Sequence, residues 1–468
     1  MIHTQQALIF LSKCSRIFIL VIDMKYAQLA LMSRNYIFNY IEGTIYMVYV
    51  LDINGKPLMP TCRYGKVKHL LKDGKAKVVK RCPFTIKLLY DTTSYTQSLT
   101  LGVDTGSGTI GTAVSDNNGN VVYISKVIIR NDIADKMKRR SKYRRNRHNR
   151  KTRYRPDRWL NRKNSIKKDR FSPTMISKFH SHIKEIEYIK SILPINTLVF
   201  ETGQFDMHLM KNPSLANPKI KCWGYQKGVN YGFENTKAMV LNRDNYTCKH
   251  CKGKRKDSRL EVHHIIFRSK GGSDKADNLI TLCHTCHKAL HENKFKLNLQ
   301  GKLKGTLKYA TQMNSIRVQL LKKYPTAIET FGMVTKANRL LLGLGKDHHI
   351  DACVISSRGN VVNIKLNTLY IKKSIAKGDY QQTKGIRSEQ RLNTKKINGF
   401  LKFDKVLYMG KEYFIKGRMS TGYAILMDIE GNKINFSYMA KGYKTPKLCN
   451  CTRISARTSQ LIYCQFIS

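Results

Sequence analysis

The sequence predicts an α/β multidomain chain: three separated segments that carry acids, a cysteine-clamped finger between the second and third, an arginine-rich run between the first and second, and small basic or β-rich segments at either end. Three observations carry this. Two Cys-x-x-Cys pairs bracket a set of His and Asn residues between Cys248 and His291. A dense basic run parts two apolar segments, and three acids and a histidine, far apart in the chain, stand at strand ends or on a helix face.

Length and charge narrow the partners. At 468 residues the chain can bury several separate cores. Lys and Arg number 85 against 31 Asp and Glu, and 85 minus 31 leaves +54 at pH 7. So evenly basic a chain needs a polyanion to neutralise it, and nucleic acid is the usual one. A membrane-surface protein would concentrate its charge on an amphipathic helix instead. The 12 cysteines show no disulfide pattern outside the two pairs, which suits a reducing cytoplasm.

In chain order, residues 1–46 stand apart. Their run ALIFLSKCSRIFILVI is broken by Lys13 and Arg16, too short for a membrane span and without a small-residue cleavage site. It reads as a dispensable extension, with the functional chain beginning near Met47. Residues 47–97 read as a small basic module, two short strands at the Asn54-Gly55 turn and before Pro83 with a helix from Arg63 to Leu71 between them. In 98–130, three alternating runs predict an antiparallel meander. Asp104 ends the first of them, where a carboxylate among Val and Gly is costly to bury unless a cation meets it.

Residues 131–170 carry the basic run. Between 136 and 170 stand 18 Lys or Arg against Asp157 and Asp169, with Tyr143, Tyr154 and Trp159 as stacking faces. Arg139, Arg140, Arg144, Arg145, Arg147, Arg150, Arg153 and Arg155 are the candidate nucleic-acid contacts. Charges this dense repel one another in isolation and bind a phosphate backbone by releasing its counterions. Residues 171–206 give a helix and the strand TLVFE, ending at Glu201.

Segments 207–237 and 295–308 read as linkers around the finger, 238–294. Residues 309–379 predict a strand in TAIETFGMVT and one helix in KANRLLLGLGKDHHIDA, where His348 and Asp351 share a face. Together Asp104, Glu201, His348 and Asp351 make the acidic constellation that holds two magnesium ions across a scissile phosphate. Residues 380–468 alternate with turns at Met409-Gly410 and Gly431-Asn432, which predicts a small barrel or sheet.

Within the finger, Cys248, Cys251, Cys283 and Cys286 have the spacing of a closed, structural four-thiolate zinc site. His263, His264, Asn278, His287 and His291 can hold a divalent cation and leave one imidazole free to deprotonate water.

These residues carry a resemblance. The finger resembles the HNH endonuclease finger, a ββα-metal unit, in its four-cysteine variant. By that likeness His264 is the general base, His263 and His287 are metal ligands, Asn278 fixes the loop and His291 adds a further ligand, around one magnesium ion. Phe267 stands where many members carry Pro. The acids in their order resemble a split RuvC nuclease of the ribonuclease H-like fold, the basic run resembles the bridge helix of RNA-guided nucleases, and Pro57-Leu58-Met59-Pro60 resembles the start of the IscB proteins.

The whole order from Met47 onward resembles the transposon-encoded IscB family. It implies a noncoding guide RNA, a double-stranded DNA target with an adjacent recognition motif read by the C-terminal domain, and cutting of both strands. The finger would cut the paired strand and the acidic core the displaced one, in a monomer with its RNA and no membrane partner, in a prokaryotic, nucleoid-associated cytoplasm. Two other readings remain: a protein-only HNH homing-type endonuclease, and a catalytically silent nucleic-acid scaffold.

Overall fold

The computed structural model describes residues 47–149 (side chains to 146), 171–228, 230–254, 257–297, 307–364, 366, 368–376, 396–436 and 444–466. It is a mixed α/β multidomain protein. The extension 1–46 and Arg150, Arg153 and Arg155 lie outside the described residues, as does the side chain of Arg147.

The first module packs helix α1 (Tyr64–Lys72) on a three-stranded sheet of β1 (Tyr49–Leu51), β2 (Ala76–Arg81) and β3 (Phe84–Leu88), in the order β1-β3-β2. Val67, the buried residue of α1, meets Val48, Val50, Ile86 and Leu88. The sequence anticipated a strand before Pro83 and missed its partner after it. Val78 and Val79 of β2 are exposed, so the hairpin lacks the clean alternation that reveals strands.

The predicted meander is present: β4 (Leu99–Asp104), β5 (Thr109–Asp116) and β6 (Val121–Ile128) are antiparallel neighbours. The basic helix α2 (Ile133–Asn149) follows, with Arg139, Arg140, Arg144 and Arg145 exposed on it. Asp132, just before it, pairs with Arg130 at 2.9 Å and with Lys136 at 2.6 Å, a negative charge at the helix N-terminus where the dipole favours one. Helix α3 (Pro173–Lys190) starts with Ser172 as N-cap and Pro173 in its first turn. Strand β7 (Ile195–Thr202) then lies parallel to β4.

The segment 207–237, expected as a linker, holds α4 (Met207–Lys211) and α5 (Pro218–Gln226), each opened by an Asp or Asn cap. Helix α6 (Thr236–Arg243) leads into the finger, whose hairpin of β8 (Leu260–His264) and β9 (Leu279–Cys283) is closed by α7 (His284–His291). Buried Asp244 ties α6 to the hairpin, accepting from the Thr281 amide at 2.9 Å.

The chain returns through α8 (Lys308–Lys323) to β10 (Ile328–Phe331), parallel to β7. Here the expected long helix is two: α9 (Gly332–Leu341) and α10 (His348–Ser357). Gly343, with φ +63, takes the chain out of α9 in a conformation that side chains disfavour. The GMVT stretch expected as strand belongs to α9. Strand β11 (Thr368–Ser374) runs parallel to β6.

A four-stranded antiparallel sheet, ordered β14-β13-β12-β15, follows as expected: β12 (Lys405–Tyr408), β13 (Lys411–Arg418), β14 (Ala424–Met427) and β15 (Thr452–Ser455). Met409 and Gly410 both have positive φ at its first hairpin turn. Strand β16 (Gln460–Phe466) corrects the boundary at 380–468, because it leaves this domain and pairs antiparallel with β11 in the core.

The core sheet thus has seven strands in the order β10-β7-β4-β5-β6-β11-β16. Leu99, Leu101 and Val103 of β4 face one side, against Ile186 and Ile189 of α3 and Ile316 and Leu320 of α8. By the period of two, Gly102 and Asp104 face the other side, where α10 lies. That helix packs on backbone: a Cβ on Gly111 would stand 1.8 Å from the His348 carbonyl oxygen, and one on Gly102 2.5 Å from the Ser356 nitrogen. Lys372 is wholly buried behind β6, with its Nζ 2.7 Å from both Glu185 Oε1 and the Tyr123 hydroxyl. A buried cation is tolerable only with such partners.

Gly111→Ala should force α10 off the sheet, costing about 1–3 kcal/mol as overpacking does. Hydrogen exchange of the 348–357 amides checks it: faster exchange there than in α3 is expected, and unchanged protection would contradict the close seat.

Candidate active sites

The acidic site is built where strands β4 and β7 end side by side. Asp104 and Glu201 are register partners, and α10 brings His348 and Asp351 to them in its first turn. His348 Nδ1 lies 2.5 Å from Asp104 Oδ2. That bond, reinforced by the Asp104 charge, holds the His348 imidazole above its usual pKa. Asp351 Oδ1 pairs with Arg339 Nε at 2.8 Å; Arg339, on α9, is only 7 % exposed and also donates to the Leu344 carbonyl at 3.2 Å.

Charge here is too dense for the groups that hold it. Burial pushes Glu201 up to about 7, and the charges of Asp104 and Asp351 add to the effect. Burial likewise raises Asp351, with Asp104 adding to it. Glu201 Oε2 is buried with no hydrogen-bond partner. An orphaned carboxylate oxygen among two other acids fits a divalent cation, and all three groups are the oxygen donors magnesium takes. Asp104, Glu201 and Asp351 do not come within 4.8 Å of one another as a single set, as two other groups of described residues do.

Those two groups are in the finger. Cys248, Cys251, Cys283 and Cys286 form the first, with Cys251 Sγ 3.9 Å from Cys283 Sγ. Cys248, Cys283 and Cys286 are buried, and burial raises the thiols of Cys283 and Cys286. Four thiol ligands in an apolar nest fit a tetrahedral zinc ion, whose charge would hold them as thiolates.

The second group is His263, His287 and His291. His291 Nε2 is 3.2 Å from His287 Nε2, and His287 Nδ1 is 2.7 Å from Glu261 Oε2. Burial, with the neighbouring imidazoles adding, lowers His263 to about 4, so at neutral pH the ring is uncharged and offers one nitrogen lone pair. An open cleft of about 320 Å³ lies over these rings, lined also by His264, Phe267 and Arg268.

His264 stands beside the triad, and its Nε2 lies 2.8 Å from Asp274 Oδ1, which Arg268 also meets at 2.6 Å. Asn278 is fully buried. Its Oδ1 accepts from the Ile266 amide at 3.0 Å, and its Nδ2 donates to the carbonyls of Ile266 and Ser273 at 3.0 and 2.8 Å. Asn278, expected among the catalytic residues, instead commits both its amide oxygen and its amide nitrogen to clamping the loop. Phe267 adopts φ −58, the angle a proline would impose, and sets its ring edge-on to His263 at 5.3 Å.

Sequence reading overlooked Arg339, Asp274 and Glu261. Glu261 had a signal, since it stands two residues before His263 and shares its strand face. Arg339 and Asp274 reach their partners across loops, which no periodicity announces.

A family model described as RRXRR protein matches residues 48–228, and one described as HNH endonuclease matches residues 248–293. The chain is 40% identical over 65 residues to the type IV methyl-directed restriction enzyme EcoKMcrA of Escherichia coli, covering 12% of this chain and 23% of that enzyme. It is 35% identical over 69 residues to anaredoxin of Nostoc sp., covering 14% of this chain and 88% of that protein. Among solved structures it matches the crystal structure of Streptococcus thermophilus Cas9 in complex with the AGAA PAM, at 11% identity and a TM-score of 0.30, covering 48% of this chain and 32% of that one. The chain thus spans under a quarter of the restriction enzyme and about a third of the Cas9 chain.

Two outcomes follow from the site electrostatics. Glu201 and His348 both titrate higher in the folded core than in an unfolded chain, so their contribution favours folding at low pH and fades as pH climbs through about 7. Measured against a Glu201→Gln variant, the ion-free wild type should lose stability as pH rises from 5 to 8, whereas His182 and His349, held below their usual range by burial, push the absolute trend the other way in both proteins. Allowing for solvent screening at a partly open site, Glu201→Gln should remove on the order of 1 kcal/mol of that slope. In the finger, Cys248→Ser should lose zinc and raise exchange across β8 and β9; full zinc content in that variant would contradict the four-thiolate assignment.

Proposed function

We propose, for a chain whose RRXRR region and HNH endonuclease domain make it an IscB-like protein, that it is an RNA-guided endonuclease cutting both strands of a DNA duplex. The observation that carries this is the meeting of Asp104, Glu201, His348 and Asp351 from three sequence pieces, with the finger spliced between the second and third. A finger acting alone has no use for that second site. The strand order β6-β5-β4-β7-β10, antiparallel then parallel, supports reading the core as a ribonuclease H-like (RuvC) nuclease.

In the core, Asp104, Glu201 and Asp351 would hold magnesium, which supplies charge neutralisation at the phosphate and an activated water. His348, raised by Asp104, is protonated over more of the neutral range than a free imidazole and can give a proton to a departing oxygen. Arg339 holds Asp351 in place from below.

In the finger, Asp274 accepts from His264 Nε2–H and leaves the lone pair on Nδ1, the arrangement of a general base. Loop 265–278, clamped by Asn278, fixes where that base stands.

The exposed arginines of α2 supply sequence-independent phosphate contacts to the guide, and base pairing supplies the choice of target. The finger is assigned to the guide-paired strand and the acidic core to the displaced one, with the C-terminal sheet beside the target's adjacent motif.

Protein purified with its native locus should carry a bound RNA, and removing that RNA should abolish cutting. Fixed-sequence cutting by RNA-free protein would favour the homing-type reading. With labelled duplex, Asp104→Ala should nick only the guide-paired strand and His264→Ala only the other. An uncut duplex with either single variant would sink the assignment of two independent sites.

A further inference from the structure

The two reactive sites are made of different atoms. Asp104, Glu201 and Asp351 offer oxygen, while His263, His287 and His291 offer three nitrogens within 4.8 Å of one another. Magnesium takes oxygen ligands and keeps much of its water, whereas imidazole suits zinc, cobalt and nickel. The magnesium ion expected at the finger does not fit this donor set.

The carboxylates near the triad are already committed. Glu261 Oε2 meets His287 Nδ1 at 2.7 Å, and its Oε1 meets His284 Nδ1 at 3.1 Å and Arg259 Nε at 3.2 Å. Asp274 is held by His264 and Arg268. Glu261 Oε2 stands beside His287 Nδ1, a carboxylate–histidine pairing of the kind found behind metal ligands, while His287 Nε2 faces the other way. That Nε2 stands 3.2 Å from His291 Nε2. Ring nitrogens facing each other so closely need a proton or a cation to share. Three imidazole ligands with an open cleft above them match a catalytic zinc-class site, which keeps one position free.

We propose that His263, His287 and His291 hold a zinc-class ion, and that magnesium does not substitute for it, so the two strand cuts answer to different ions. The consequence for strand cutting rests on the two-nuclease reading above; the ion assignment does not.

The test uses full-length protein with its RNA, loaded with zinc, desalted into magnesium buffer and measured for metal content. Wild type should keep two zinc ions per chain, and the double variant His287→Ala/His291→Ala one, the four-cysteine ion reporting that its finger is still folded. Cobalt loaded in place of zinc should give a ligand-field spectrum of which the nitrogen-bound part vanishes in the same variant. In magnesium alone, protein stripped of the triad ion should nick only the displaced strand, and added zinc, cobalt or nickel should restore the second cut. One zinc ion in both proteins, or two cuts by wild type with magnesium alone and a single zinc bound, would overturn the proposal. Two zinc ions in wild type, one in the variant and no cutting by either site would uphold the ion assignment and defeat the endonuclease reading instead.

Discussion

Helix α10 can approach the core sheet only where side chains are missing. Gly102 and Gly111 provide that gap on neighbouring strands, and the helix settles until its first turn reaches the end of β4. The period of two sets Asp104 on the same face as Gly102, so the seat and the acid are one choice of register. A slip of one residue would turn Asp104 toward Ile186 and Ile189 and bring Val103 under the helix. His348, Asp351 and the crowded field around Glu201 all follow from that contact.

The field has its own logic. Three acids share the space with one arginine and one histidine, and burial strips them of water. The core therefore carries a standing demand for positive charge at one spot, while the chain as a whole carries a large excess of it. An anion drawn to the basic surface would still need an intermediary cation to sit against these acids.

What could be read in advance divides by distance along the chain. The finger was legible because its cysteines and histidines lie within one short segment at spacings that only a few structures demand. Asp104, Glu201 and the His348–Asp351 pair were legible as candidates from strand ends and helix spacing. Their convergence came from the resemblance rather than from any one motif. The break between α9 and α10 was hidden because Leu340 to Leu344 continues an apolar pattern, and only the backbone of Gly343 shows the turn. Arg339 and Lys372 look like ordinary surface cations in the sequence. Each is buried because a distant acid, Asp351 or Glu185, waits for it.

Strand β16 adds a consequence for biosynthesis. It comes after the four-stranded C-terminal sheet, yet its partner β11 lies more than eighty residues earlier, at Thr368 against Phe466. During translation β11 emerges with one edge unsatisfied and stays so until β16 clears the ribosome. The nascent core spends that interval incomplete, and a truncated transcript ending before Gln460 would leave a permanently sticky edge. Synthesis of β16 is thus itself a checkpoint on assembly.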